Sequence, residues 1–182
     1  MITRRDVLRA GVAATIVPFI AKPQIACADT ADFWVKDRSL WLRRSHIGEE
    51  FHVPYWTDGK IINDNYIALC YILRDAYEHT TVTIDVNLLN LLYGIQQWDL
   101  LLTHQEKPVM INSGYRTLEH NAHLEGAARN SMHLYGRAAD IHIDGRSPDE
   151  IARMAGFFGF GGVGLYPTFT HVDTGRQRFW RG

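Results

Sequence analysis

The sequence predicts an α+β domain in which a small antiparallel β-sheet core packs against helices. Three features lead there. Apolar residues recur at helical spacing through two stretches between residues 63 and 100. After Pro108 the chain changes to short apolar runs separated by glycine-rich turns, the texture of short strands. No repeat, linker or charge block interrupts residues 29–182, so a single domain is expected. The 182 residues are 46% hydrophobic and 21% charged, which excludes collagen-like and disordered classes.

Residues 1–28 read as a targeting segment and stand apart from the fold. Thr3-Arg4-Arg5-Asp6-Val7-Leu8-Arg9 is a basic head, Ala10–Ile20 is mildly apolar, and Ala26-Cys27-Ala28 is a small-x-small cleavage site. Paired arginines before a weakly apolar run resemble the bacterial twin-arginine signal, which exports folded proteins. The expected location is therefore the periplasm. Residues 29–182 keep 15 Lys/Arg against 19 Asp/Glu, and this acidic balance argues against a nucleic-acid partner. No apolar run reaches the roughly 18–20 residues of a membrane span, so no span is expected in the mature protein. Cys27 leaves with the segment unless it is lipidated, and Gln24 is a poor lipobox start. Cys70, left alone among apolar neighbours, is expected to be a buried, inert thiol.

The elements follow in order. Leu40, Leu42 and the aromatics from Phe51 to Trp56 suggest one or two strands, closed by an Asp58-Gly59 turn. Asn63-Asp64 can cap a helix running to about Arg74. Val86, Leu89, Leu92, Tyr93, Gln96 and Leu100 mark a second helix after Asp85. Val109-Met110-Ile111 and Ala138–Ile143 are strand candidates. Ser147-Pro148-Asp149-Glu150 is a capping box with proline at the first helical position, opening a helix to about Phe158. Gly162–Tyr166 and Phe169–Asp173 then read as two strands joined near Pro167. Gly159–Gly164 matches a G-x-G-x-x-G fingerprint, but a helix precedes it and a strand follows. That is the reverse of what a pyrophosphate site needs, so the run is read as a turn.

The chemistry concentrates in Ser131-Met132-His133-Leu134-Tyr135-Gly136-Arg137-Ala138-Ala139-Asp140. Gly136 allows a sharp turn after His133, and the strand that follows projects Asp140 and His142 to one face. Turn and strand together can bring His133 beside Asp140. An imidazole and a carboxylate suit a divalent metal, and His171 supplies a third donor if the strands pair. Three donors leave a fourth position for water, as in catalytic zinc sites. A polar strand edge with an unrelated histidine has the same spacing, so the pattern alone leaves metal binding open. His46, His52, His79, His104, His120 and His123 have no partner at a telling spacing and are read as surface or capping residues.

The pattern S-x-H-x-x-G-x-A-x-D, with Ser113-Gly114-Tyr115-Arg116 before it and His171-Val172-Asp173 after it, resembles the zinc D-Ala-D-Ala carboxypeptidase and murein endopeptidase family. The likeness extends from about Val109 to Trp180 and includes Gly162-Val163-Gly164-Leu165-Tyr166. It implies the hedgehog/D-Ala-D-Ala-peptidase type of α+β fold. It also implies one zinc ion per chain on His133, Asp140 and His171, with Arg116 steadying the substrate carbonyl or carboxylate. Ser131 then orients a ligand or the substrate. Relatives place an acid or histidine just before the last metal ligand, where this chain has Pro167, Thr168 and Phe169. Asp173 is therefore the nominated general base, with His142 as rival. The expected activity is metal-activated hydrolysis of peptidoglycan cross-links in the periplasm. A D,D- or L,D-carboxypeptidase on stem peptides and a metal-stabilised wall-binding module without catalysis are the competing readings.

Overall fold

The computed structural model describes residues 36–182; the targeting segment, Cys27 and the cleavage site lie outside them. Strand β1 (Arg38–Arg44) alternates buried and accessible residues, with Leu40 and Leu42 in the core and Arg38 and Arg44 buried at its ends. A 3-10 turn (Ser45–Ile47) leads into β2 (Glu49–Thr57), antiparallel to β1, and β3 (Lys60–Ile61) follows across the Asp58-Gly59 turn. Of the one or two strands expected here, two long ones form, with the short β3 added after the turn.

Helix α1 (Asn63–Ile72) starts without the expected side-chain cap. Its N-cap is Ile62, and Asn63 and Asp64 lie inside the first turn. At its other end the buried guanidinium of Arg44 donates to the carbonyls of Ile72 at 3.2 Å and Arg74 at 2.8 Å, satisfying groups a helix end leaves open. Cys70 is buried on this helix, and burial pushes its thiol pKa up, as expected of an inert residue.

Helix α2 (Val86–Thr103) is capped by Asp85, whose carboxylate accepts from the Asn87 amide at 2.9 Å. It is buried almost all round. Leu88, Leu89, Leu91, Leu92 and Ile95 fill the core, while its buried polar residues tie it to its neighbours. Asn90 accepts from Arg38 and from the Tyr55 hydroxyl, and the Gln96 amide donates to the carbonyls of Trp41 and Lys107.

The chain then forms β4 (Val109–Ser113), the short helix α3 (Leu118–His123), a 3-10 turn (Met132–Tyr135) and β5 (Ala138–His142). Helix α4 (Pro148–Phe158) carries the predicted capping box on Ser147 and Glu150, and ends at Gly159 with φ 64°. Strands β6 (Gly162–Leu165), β7 (Thr170–Asp173) and β8 (Arg178–Arg181) complete the described chain. The glycine run begins at the α4 C-cap Gly159 and enters β6 at Gly162, so a helix precedes it and a strand follows, as expected, but only its first half is a turn.

The sheet differs from the small antiparallel one expected. It has eight strands in the order β3-β2-β1-β4-β5-β7-β6-β8, and it is mixed. Strand β4 runs parallel to β1, because the chain makes an excursion through two strands and two helices before returning to the middle of the sheet. Strand β8 runs parallel to β6, since the four residues after β7 carry the chain across β6 to its free edge. Local periodicity reports a strand but not its neighbour, and these two pairings are long-range. Among the described residues no helix is long and apolar enough to cross a membrane.

Candidate metal centre

One row of residues runs straight across the sheet. Ser113 on β4 pairs with Asp140 on β5, Asp140 with His171 on β7, His171 with Gly164 on β6, and Gly164 with Trp180 on β8. Directly opposed residues point to the same face of a sheet, so Asp140 and His171 are held side by side by register alone. Gly164 contributes no side chain to this row. A Cβ there would lie 2.5 Å from the Trp180 indole, so glycine lets that ring lie over β6 with its centroid 5.1 Å from that of His171.

His133 reaches the same point from the 3-10 turn. Ser131 caps that turn, its hydroxyl accepting from the His133 amide at 3.3 Å, and Gly136 closes it with φ 63°. His133 Nε2 lies 3.2 Å from Asp140 Oδ1 and 3.1 Å from His171 Nδ1, and the latter two atoms are 2.9 Å apart. All three side chains are buried, and one donor atom from each lies within 4.8 Å of the others.

The outer nitrogens decide what this cluster can hold. His133 Nδ1 is 2.6 Å from the Gly114 carbonyl, which can only accept, so the ring proton sits there and Nε2 presents a lone pair. His171 Nε2 is 3.0 Å from Asp173 Oδ2, which likewise places its proton outward and turns the Nδ1 lone pair inward. With both rings neutral, two lone pairs and a carboxylate oxygen face one another with no hydrogen to share. A divalent cation is what such an arrangement accommodates, and two imidazoles with one carboxylate fit zinc.

The electrostatics set the two imidazoles apart. Burial pushes the His133 pKa below its ordinary value, so the ring is neutral, the form a metal takes. Burial also acts downward on His171, but hydrogen bonds to Asp140 and Asp173 outweigh it and hold its pKa above the usual value. Burial would raise Asp140, yet the neighbouring imidazoles keep its carboxyl far below the carboxylate range.

Arg116 joins the cluster from the loop after β4. Its Nη2 donates to Asp140 Oδ2 and its Nε to the Ser113 hydroxyl at 2.8 Å, while Nη1 makes no hydrogen bond among the described residues. Arg116, Ser131, His133, Asp140 and His171 all line one cleft of about 620 Å³.

Asp173 lies elsewhere. It is fully buried behind His171, and its oxygens also accept from the amides of Gly162 at 2.9 Å and Gly175 at 2.8 Å and from Arg178. Burial opposes ionisation, but His171, Arg178 and the two amides keep its carboxyl well below the usual range. His142, although two residues from Asp140, sits in a separate hollow with His46 and Asn112, its Nδ1 2.6 Å from Asn112 Oδ1.

The sequence reading missed two features of the cleft. One is an aromatic wall: Tyr166 and Phe169 stack at 4.5 Å, and Trp180 Nε1 donates to the Tyr166 hydroxyl at 3.1 Å. The other is Glu125, an exposed carboxylate on a loop lining the cleft that makes no hydrogen bond or ion pair among the described residues. Aromatic residues flanking His171 were a usable signal for the first; no sequence signal marked Glu125.

A family model described as peptidoglycan L,D-endopeptidase MepK matches residues 33–180. The chain is 32% identical to the peptidoglycan L,D-endopeptidase MepK of Escherichia coli, covering 97% of this chain and 96% of that protein. It is 38% identical to the probable peptidoglycan L,D-endopeptidase MepK of Haemophilus influenzae over 81% of each chain. A shorter match, 38% identical over 41% of this chain and 31% of the relative, is to the zinc D-Ala-D-Ala carboxypeptidase of Streptomyces albus G. With a matching model that spans nearly all the described residues, and relatives that align end to end, the chain belongs to the peptidoglycan L,D-endopeptidase MepK family.

Proposed function

We propose that this protein is a zinc-dependent endopeptidase that hydrolyses peptide cross-links of bacterial peptidoglycan. The observation that carries the reading is the convergence of His133 Nε2, Asp140 Oδ1 and His171 Nδ1 on one point of the cleft. Relatives that align over most of their length are named L,D-endopeptidases, which supports an L,D bond as the target. Residues 29–182 form the single peptidase domain, with the hedgehog/D-Ala-D-Ala-peptidase type of fold. The twin-arginine-type pattern of residues 1–28 supports export to the periplasm, where this substrate lies.

His133, Asp140 and His171 hold one zinc ion per chain. When bound, zinc supplies Lewis acidity and lowers the pKa of its water. The protein's own groups do the rest. Arg116 has a guanidinium nitrogen free toward the cleft, suited to steadying oxyanion charge on the peptide carbonyl. Asp173 holds the His171 ring in the tautomer that turns Nδ1 inward, a positioning role consistent with its burial and full hydrogen bonding. Glu125 has the unpaired carboxylate at the cleft edge and takes the proton shed during attack. The wall of Tyr166, Phe169 and Trp180 shields the site from water and offers a flat apolar surface to the peptide.

The test is digestion of purified sacculi by zinc-loaded protein, with separation of the muropeptides. Wild type is expected to convert cross-linked dimers to monomers, and His133→Ala to leave them intact. Dimers untouched by wild type overturn the endopeptidase reading. Shortened stems beside intact dimers point instead to a carboxypeptidase.

A further inference from the structure

Helix α3 carries His120, and its ring Nδ1 lies 2.9 Å from each carboxylate oxygen of Asp75. Asp75 comes from the connection after α1, far from the metal ligands in sequence, and is almost completely buried. Its Oδ1 also accepts from the amides of Tyr77 at 3.0 Å and Glu78 at 3.2 Å. Its Oδ2 accepts from the amide of Thr117 at 2.8 Å. Burial favours the neutral acid, but the Thr117 amide and His120 outweigh it and keep this carboxyl below its ordinary range. A buried anion with four donors is a rigid anchor.

What it anchors is the loop that presents Arg116. Three consecutive amides of that loop donate to three different parts of the protein. Tyr115 donates to the Leu73 carbonyl at 2.7 Å, Arg116 to the His133 carbonyl at 3.2 Å, and Thr117 to Asp75. Thr117 is at the same time the N-cap of α3, its hydroxyl accepting from the His120 amide at 3.1 Å. His120 therefore clamps both partners of one contact: its ring holds Asp75, and its amide holds Thr117. Neither residue lines the cleft, and neither touches a metal ligand among the described residues.

We propose that the Asp75–His120 pair is a positioning device for Arg116, fixing the loop so that the guanidinium meets both Asp140 and the cleft. The inference rests on the endopeptidase reading of the site and deepens it. An arginine whose backbone is not held spreads over many rotamers, and a guanidinium that stabilises charge is effective only if held beforehand. Side chains standing behind a functional group commonly change activity by one to two orders of magnitude.

The experiment is a double-mutant cycle on the zinc-loaded full chain, with cross-linked muropeptide as substrate and zinc content and melting temperature measured for every variant. His120→Ala is chosen because its ring is partly exposed, and its melting temperature checks that it folds. It is expected to lower kcat about tenfold at unchanged zinc content. His120→Asn, which returns an N–H donor near the position of Nδ1, is expected to recover most of the loss. In an Arg116→Ala background, His120→Ala is expected to cost nothing further, since the device then has nothing to position. The proposal is overturned if His120→Ala keeps wild-type kcat, if Asn fails to rescue it, or if its loss is undiminished without Arg116. Inactive wild-type enzyme is a different result: it overturns the endopeptidase reading, and this inference with it.

Discussion

On β7, His171 and Asp173 project from the same face, and Nε2 of the imidazole meets Oδ2 of the carboxylate at 3.0 Å. That contact places the ring proton on Nε2, turns Nδ1 toward the cleft, and makes the acid a support for the imidazole. Asp173→Asn is therefore expected to weaken zinc binding about 10–100-fold, with kcat near wild type once zinc is saturating. Competition with a chelator of known affinity measures the first quantity, and steady-state kinetics at full occupancy the second. A large loss of turnover at full zinc occupancy returns Asp173 to the role of proton acceptor.

Zinc binding to the folded chain alone must also stabilise it. At free zinc a hundred times Kd the gain is about 2.7 kcal/mol. A domain of this size shifts by about 2–4 °C per kcal/mol, so scanning calorimetry is expected to show a rise of about 5–10 °C. His133→Ala removes one of three donors and leaves an acid and an imidazole facing each other. This variant is expected to lose both the zinc-dependent rise and the hydrolysis of dimers.

The closeness of His133 and Asp140 was readable in the sequence because the two are joined by one turn and one strand, whereas His171 joins them only through strand pairing. Ser131, His133 and Gly136 form one capped turn, and Asp140 follows on the adjoining strand within a few residues. The capping box of α4 and the start of α2 after Asp85 were readable from local signals. Asn63-Asp64 misled because polar residues fit inside a first helical turn as well as before it. The mixed sheet was not readable, since the β1–β4 pairing joins residues separated by two helices. Trp180 and Glu125 escaped because the features that make them relevant, a neighbouring glycine row and a cleft edge, exist only after folding. His120 was read as a surface or capping residue for want of a partner. Its partner, Asp75, lies 45 positions away in sequence.

Asp75 gives the fold a measurable acid sensitivity. Its carboxyl is held below the ordinary value, which in an unfolded chain is about 3.9. A depressed carboxylate contributes stability above that unfolded value and loses it as pH falls through the lower folded one. Metal-free wild type is therefore expected to lose stability between about pH 4 and the folded pKa of Asp75. Asp75→Asn is expected to be less stable at pH 7, by about 1.5–3 kcal/mol for a hydrogen bond to a charged group. Its stability should also fall less steeply below pH 4. Urea unfolding across pH, followed by circular dichroism, measures both. Equal slopes for the two proteins would remove Asp75 as the source of the effect.

Glu125 is the sharpest test of how the proton is handled. Asp140 is committed to the imidazoles and Arg116, and Asp173 is enclosed, so among the described residues the cleft's remaining side-chain carboxylate is Glu125. Glu125→Gln keeps the size and polarity of the side chain and removes only its basicity. The expected outcome is a fall in kcat of about 10²–10⁴, with KM, zinc content and melting temperature unchanged. Glu125→Asp, with a carboxylate on a shorter arm, is expected to fall between the two. Single-turnover hydrolysis of a defined cross-linked dimer separates this chemical step from product release. Full turnover by Glu125→Gln would show that the proton leaves directly to solvent, and Glu125 would then be a bystander at the cleft mouth.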